Sequence, residues 1–463
     1  MEYFTRTKIV KILAEAETPK DNVVVFGWVR TRRDSPNLTF LEVNDGSCLD
    51  NLQLVIDKPE RFPDLEKTSL GASLRAAGKL VPVPERPHKI ELHPTELTLI
   101  GECPPDYPMQ KKRHSFEYLR EIAHLRPRTN ALGAVNRFRS KMAYAIHKFF
   151  QERGFYYIHT PLITAVDAEG AGEQFWVTTF DLKNVPMKDG QVDFDQDFFG
   201  AQTFLAVSGQ LEGEIMATAL GDIYTFGPTF RAENSNTSRH VAEFWMIEPE
   251  MAFCDLDDNM QLAGEFLIYL FNYALEECSE EMKFFNERIE KNRIETLEAL
   301  VKSKFEIVTY TEAINILKRA KKAFEYPIEW GGDLQAEHER YLCEEHIKGP
   351  VMVRDYPRQI KAFYMRLNDD GKTVAAVDVL VPQIGEIIGG SQREERLDIL
   401  KEQFKFFKIP EQNLWWYYDL RKYGTVPHAG FGLGFSRALM YMSGFSNIRD
   451  VMPFPRTPRN AKF

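Results

Sequence analysis

The sequence predicts an α+β chain in two parts: a small all-β barrel, then a larger region mixing helices with antiparallel strands. Three observations predict it. Strand-like segments follow one another from Val23 to about Gly101. Residues 102–128 then shift to prolines and basic residues. Beyond them, helical-period runs alternate with strand-like runs, two of which flank a polar loop.

Taken in order, residues 1–20 read as a short helix. VVVFGWVRT, LTFLEVND, LDNLQLVID, SLRAAGKLV and KIELHPTELTLI follow, with turn signals such as NDG between them. Five short strands of this kind fit a closed barrel, and the OB-fold is the economical choice. Such barrels often bind single-stranded nucleic acid through a stacking face. Arg30, Arg32 and Arg33 cluster at the first turn, and Phe40 follows on the next strand. We therefore set the barrel domain at 1–104, a hinge at 105–130 and the second domain at 131–463. In the hinge, Lys111, Lys112 and Arg113 either touch a polyanion or form a solvated linker.

Asn136 to Phe155 reads as a helix, with Phe138, Met142, Ile146 and Phe149 at helical spacing. YYIHTPLIT then looks like an edge strand, because Pro161 cannot donate to a ladder. Thr225–Phe230 and Glu243–Phe253 read as antiparallel strands around the polar loop, the whole stretch being FRAENSNTSRHVAEFWMIEPE over 230–250. Arg231 ends the first strand, Arg239 lies in the loop, and Phe244 follows it. Two permanently charged forks beside an aromatic face suit a nucleotide with no Walker loop; a solvated charged hairpin is the plain alternative. Residues from about 255 to 350 read as a helical insertion. GEIIGGSQREER at 385–396 joins a strand to a helix. HAGFGLGFSRALMYMSG at 428–444 alternates Gly430, Gly432 and Gly434 before Arg437 opens a last helix, a place that favours an anion.

The totals exclude several classes. The five cysteines are scattered with no CxxC, which reads as reduced cytosolic thiols without a zinc site or disulfide frame. No apolar run is long enough to span a bilayer. A net charge of −10 argues against a general nucleic-acid coat while allowing a local basic face.

The Pro161 segment, the FRAE…EFW hairpin and GFGLGFSR resemble, in order, the three motifs of class II aminoacyl-tRNA synthetases. With the barrel, the chain resembles the aspartyl/asparaginyl/lysyl subgroup. AEGAGEQF, VSGQLEGE, FRAENSNTSRH, GEIIGGSQREER and FPRTP look most like bacterial-type asparaginyl-tRNA synthetases. The resemblance implies a catalytic domain with an antiparallel sheet flanked by helices, in a cytoplasmic homodimer built partly on Pro161. It implies ATP as substrate with Mg²⁺, and L-asparagine and tRNA(Asn) as partners. Arg231 is expected on the α-phosphate and the substrate carboxylate, Arg437 on the γ-phosphate, Phe244 stacked on adenine and Glu233 at its amino group. Arg239, His240 and Gly434 are expected around ATP. Glu386, with Asp378, is expected to hold Mg²⁺. Glu169, Gln210, Glu214 and Arg393 are expected around the amino acid, and Arg30, Phe40 and Gln53 on the anticodon.

Aspartyl enzymes usually carry a lysine three residues after the glutamine of SGQLEGE; here that position is Gly213, and Glu214 follows. An aspartate would face Glu214 with too little positive charge, whereas Arg393 can donate to an asparagine carbonyl. The alternatives are aspartyl-adenylate chemistry, as in an aspartyl-tRNA synthetase or an asparagine synthetase-like enzyme, and a non-catalytic tRNA-binding paralogue. One departure stands out: Ser436 replaces the acidic residue usual before the last motif's arginine.

Overall fold

The structure is a computed structural model that describes residues 4–110, 112–166, 174–235 and 237–463. The chain divides into two compact units, Met1–Arg137 and Phe138–Phe463.

The first unit opens with α1 (Ile9–Ala14) and builds β1 (Lys20–Ser35), β2 (Leu38–Asn44), β3 (Leu52–Asp57), β4 (Ser73–Pro82) and β5 (Ile90–Gly101). They close as a barrel in the order β1-β2-β3-β5-β4. Alternation drives the closure. Val23, Val25 and Val29 of β1, Leu41 and Val43 of β2, and Leu52, Leu54 and Ile56 of β3 all point into one core, which Ile9 and Ile12 of α1 join. Residues 105–130 fall within this unit and include α2 (Phe116–Glu121). The boundary between units lies inside α3 (Asn130–Glu152), which starts at Asn130 rather than Asn136 because the Thr129 hydroxyl accepts from Leu132 N–H at 3.2 Å.

The second unit begins with β6 (Tyr156–Tyr157). The expected YYIHTPLIT strand is interrupted around exposed Pro161, giving β6 and then β7 (Ile163–Thr164). Short pieces follow: β8 (Trp176–Val177), β9 (Met187–Lys188), β10 (Gln191–Val192) and β11 (Thr203–Leu205). Next come α4 (Gln210–Leu220), then the hairpin of β12 (Asp222–Phe230) and β13 (Glu243–Ala252). The helices α5 (Leu256–Glu277), α6 (Ser279–Arg288) and α7 (Arg293–Lys302) precede β14 (Glu306–Thr309), α8 (Tyr310–Lys318) and α9 (Ala336–Arg340). The remaining elements are β15 (Val351–Pro357), β16 (Thr373–Val381), β17 (Gly385–Gln392), α10 (Leu397–Phe407), α11 (Trp415–Lys422), β18 (His428–Gly434) and α12 (Phe435–Ser443).

One eight-stranded sheet runs β14-β15-β16-β17-β18-β13-β12-β6. Its six central strands are antiparallel, as expected, while β14 on β15 and β6 on β12 pair in parallel at the edges, so the sheet is mixed. Helices pack against it, α5 across β16 to β18 and α12 on β13 and β18. The 255–350 stretch is therefore not simply an insertion. Its first helix covers the sheet and β14 forms its edge. Asp255 starts α5 with a reciprocal cap through Asp258.

Candidate active site

The hairpin delivers its cation and its aromatic ring to one place. β12 and β13 pair Thr229 with Phe244 and Phe230 with Glu243, so Arg231 emerges at the strand end, where its N–H donates to Ala242 O at 2.9 Å. The Arg231 guanidinium carbon lies 5.5 Å from the centre of the Phe244 ring.

A cavity of about 210 Å³ opens beside them, lined by Arg231, Gln210, Ser208, Glu248, Lys361, Tyr364, Asp378, Glu386 and Arg393. Glycines of β17 and β18 (Gly389, Gly390 and Gly432), with Met246, Met365 and Phe431, complete the lining. Much of the charge here is already paired. Lys361 Nζ donates to Asp378 Oδ2 at 2.7 Å and Oδ1 at 3.0 Å. Burial alone would lower the Lys361 ammonium pKa, but Asp378 outweighs it and the net shift is upward. Arg393 forms a bidentate pair with Glu250 beneath the cavity.

Three carboxylates converge at one end. A Cβ on Gly389 would lie 3.0 Å from Glu386 Oε1 and 3.5 Å from Asp378 Oδ1, so the absent side chain leaves a gap flanked by both oxygens. Glu339 Oε2 accepts from Glu386 N–H at 3.1 Å. Burial, then Glu386, raises the Glu339 carboxyl to about 7. Burial, then Asp378, raises Glu386 as well. A gap between hard oxygen donors whose mutual repulsion a cation would relieve fits a divalent ion such as Mg²⁺. Across the gap, Arg437 sits in the first turn of α12 and its Nη1 donates to Glu386 O at 3.4 Å.

Arg231, Phe244, Gln210, Asp378, Glu386, Arg393, Gly434 and Arg437 thus fall around this cleft, Gly434 as the N-cap of α12. Glu233 and His240 are exposed on the hairpin loop. Partial desolvation by the chain around its ring, with Arg437 second, lowers the His240 imidazole, favouring its neutral form. Glu169 lies outside the described residues.

Three expectations are corrected. Arg239 does not point a free fork into the cleft: Nη1 donates to Ile384 O at 2.7 Å and Nη2 to Gln383 O at 3.3 Å, clamping the turn into β17. Glu214 does not line the cavity. Its carboxylate is fully buried, accepting from Tyr417 Oη at 2.8 Å and Arg421 Nη2 at 2.8 Å and lying 2.9 Å from His428 Nε2. Burial alone would raise its pKa, but Arg421 and His428 hold it well below the usual carboxylate range. Besides Asp378 and Glu386, the acid in the cavity wall is Glu248, which accepts from Ser208 Oγ at 2.5 Å. Arg30 is turned onto the chain itself, donating to Arg128 O and, at 2.6 Å, to Asn130 Oδ1.

Sequence reasoning missed Lys361, Glu248, Glu250 and Glu339. Lys361 and Glu339 belong to stretches with no motif signal. Glu248 and Glu250 stand inside the hairpin motif, and strand alternation placed them on one face without saying which reached the cavity. Ser436 is buried and accepts from Arg139 Nη1 at 3.1 Å, so position 436 addresses α3 and not Arg437. Burial lowers the Arg139 guanidinium to about 10.

On the barrel, Phe40 pairs with Val55 and Glu42 with Gln53, putting Phe40 and Gln53 on the outer face of β2 and β3. Arg33 lies 4.8 Å over the Phe40 ring, and Gln53 Nε2 donates to Glu91 Oε1 at 3.0 Å.

The family model for class II tRNA synthetases (D, K and N) matches residues 116–458, and the OB-fold nucleic acid binding domain matches residues 23–100. The asparagine–tRNA ligase of Synechocystis sp. is 58% identical over 461 residues, covering 99% of this chain and 100% of that protein. The chain belongs to the asparagine–tRNA ligase family of class II synthetases. The enzyme of Acetivibrio thermocellus is 60% identical over 444 residues, covering 95% of this chain and 96% of its own. Among solved structures, the asparaginyl-tRNA synthetase of Pyrococcus horikoshii complexed with asparaginyl-adenylate superposes with a TM-score of 0.84 at 30% identity, covering 98% of this chain and 99% of its own. Membership in the asparagine–tRNA ligases bears out the fold class and the family read from the motifs. Among the described residues, no helix is long and apolar enough to cross a membrane.

Proposed function

We propose that this ligase joins L-asparagine to tRNA(Asn) in two steps in the cleft between the hairpin and β17. The asparagine carboxylate attacks the α-phosphorus of ATP, the bond to the β-phosphate oxygen breaks, and pyrophosphate leaves. The terminal adenosine of the tRNA then attacks the adenylate carbonyl and AMP leaves. The observation that carries this reading is the Arg231–Phe244 pairing at the mouth of a cavity lined by Gln210 and Arg393.

Arg231 meets the α-phosphate, where charge grows in the transition state, and Phe244 stacks on adenine. Arg437, carried at the N-terminus of α12, meets the γ-phosphate. Glu233 and His240, on the loop above, face the nucleotide. Glu386 and Asp378 would hold Mg²⁺, which when bound offsets phosphate charge. In the amino-acid pocket, Arg393 donates to the side-chain carbonyl, while Glu248 supplies an acceptor for its NH₂. Glu169 is assigned to the α-ammonium by family resemblance alone.

Phe40 and Gln53 form the anticodon face, Phe40 by stacking and Gln53 by reaching a base edge. A homodimer would use the sheet edge at Pro161, where Tyr156 and Tyr157 of β6 are 57% and 47% exposed beside exposed Leu162, Ile163 and Trp245. Among the described residues no disulfide joins the cysteines, which suits a reducing cytosol.

ATP–pyrophosphate exchange measured with asparagine and with aspartate in parallel, without tRNA, tests the reading. Exchange with asparagine alone supports it. Exchange with aspartate moves the assignment to aspartyl-adenylate chemistry, and no exchange with either supports a non-catalytic protein.

A further inference from the structure

The barrel and the hinge enclose a second cavity, of about 680 Å³ against 210 Å³ for the cleft. Pockets of about 300–1,000 Å³ hold drug-sized and cofactor-sized ligands. Every residue lining this one belongs to the first unit. It lies away from the Phe40 face: Trp28 pairs with Asn44 at the cavity, whereas Arg33 pairs with Phe40 further along the same two strands.

The walls follow from local rules. Val29 points into the barrel core, so alternation turns Trp28 and Arg30 outward, and Trp28 is 48% exposed. Tyr107 of the hinge packs over Gly71, which has a φ of +88°. A Cβ on Gly71 would lie 2.9 Å from Tyr107 Cε1, so glycine there lets the ring close that side. Arg30 donates to Arg128 O and, at 2.6 Å, to Asn130 Oδ1, which fixes the backbone carrying Arg128. Arg137 of α3 donates to Gly46 O at 3.3 Å.

The charge is one-sided. Arg30, Lys112, Arg128 and Arg137 line the cavity, and among the described residues no carboxylate does. That reverses, locally, the net charge of −10. Among the described residues the Arg128 guanidinium has no ion pair, and it lies 5.8 Å from the centre of the Tyr107 ring. Burial lowers the Arg30 guanidinium, Tyr107 opposes this, and Arg137 adds to it. An anion placed among these cations relieves their repulsion. A base-paired stem could offer such a cavity only its backbone, because unstacking a base is costly. A free mononucleotide matches both features, with a phosphate for an arginine fork and a ring for an aromatic wall.

We propose that this cavity binds a free mononucleotide, separately from the cleft, with Arg128 on the phosphate and Trp28 stacked on the base. The proposal is independent of the aminoacylation reading.

The test is calorimetric titration of the full chain with 5′-UMP, chosen because the cleft is assigned an adenine nucleotide. UMP should bind saturably at one site per chain, and uridine and inorganic phosphate each about tenfold or more weaker. Arg128→Ala and Trp28→Ala should each weaken UMP about tenfold, while Phe244→Ala in the cleft leaves it unchanged. Arg128 is exposed, so Arg128→Ala should keep the parent Tm, and it decides alone if Trp28→Ala does not fold. Absence of saturable UMP binding overturns the proposal. So does UMP binding that survives Arg128→Ala and is lost in Phe244→Ala, which would place the nucleotide in the cleft. Phosphate bound as tightly as UMP would leave only a general anion site and overturn it too. A raised KM for tRNA in Arg128→Ala, without UMP binding to the parent, would make the cavity a contact for the tRNA backbone instead.

Discussion

The cleft and the barrel face both display polar side chains on a sheet, but they hold them differently. In the cleft, Arg393 and Glu250 are buried, and Lys361 meets Asp378 where little water reaches. These groups are oriented before any substrate arrives, which lets charge stabilisation act without reorganisation. On the barrel, exposed Arg33 rests on the half-buried ring of Phe40, and half-buried Gln53 donates to Glu91, which is itself buried. Contacts of that kind contribute little in water and exchange readily for a base. On the proposed reading, the cleft works by fixed charge, and the barrel trades contacts with a large, adaptable partner.

The comparison breaks most visibly at Arg231. Arg231→Ala should lower the exchange rate by about 10²–10³-fold, since it removes a preorganised cation from the reacting phosphate. Pre-steady-state adenylate formation measures this, and a loss confined to KM would place Arg231 in ground-state binding. Next is Phe40→Ala. Losing one stacked base costs about 1–3 kcal/mol, so kcat/KM for tRNA should fall while exchange holds. Equal loss in both reactions would erase the distinction between the regions.

Two smaller effects sharpen it. The Glu339 carboxyl is raised to about 7 by burial and by Glu386. Above the ordinary carboxylate range, the folded protein keeps a proton that the unfolded chain has released. The stability from that group is present at low pH and fades as pH rises through about 7. Glu339→Gln cannot ionise and keeps an oxygen for Glu386 N–H. In metal-free buffer it should gain on the parent by on the order of 1–2 kcal/mol as pH rises, after allowance for solvent screening. Urea unfolding across that range checks it; a pH-independent difference would count against the assignment. The smallest effect is at Ser436. Ser436→Asp would pair with Arg139 in the first turn of α12, where the helix dipole also favours an acid. A Tm rise of a few degrees with an unchanged KM for ATP is expected. A changed KM would mean that position 436 acts on Arg437 after all.

Much of this was legible in the sequence because it repeats locally. Alternation gave the barrel strands, and turn formers placed the hairpin, so Arg231 and Phe244 could be paired from spacing alone. Three kinds of information were not local. Arg239 looked like a free fork because nothing nearby in sequence predicts the carbonyls of Gln383 and Ile384 that accept from it. Glu214 read as a pocket wall because helix spacing does not say which face meets Arg421 and His428, which come from elements far along the chain. Lys361 and Glu339 carry no motif at all, and only the fold shows that they face Asp378 and Glu386. Arg30 fits an anticodon contact by position and was claimed instead by residues 128 and 130.

The most direct test of fixed charge in the cleft is a crystal structure of the full chain with L-asparagine bound. Arg393 should donate to the side-chain oxygen while both of its contacts to Glu250 persist at hydrogen-bond distance. An Arg393 swung away from Glu250, or an amide seated on Lys361 with Arg393 untouched, would contradict the account.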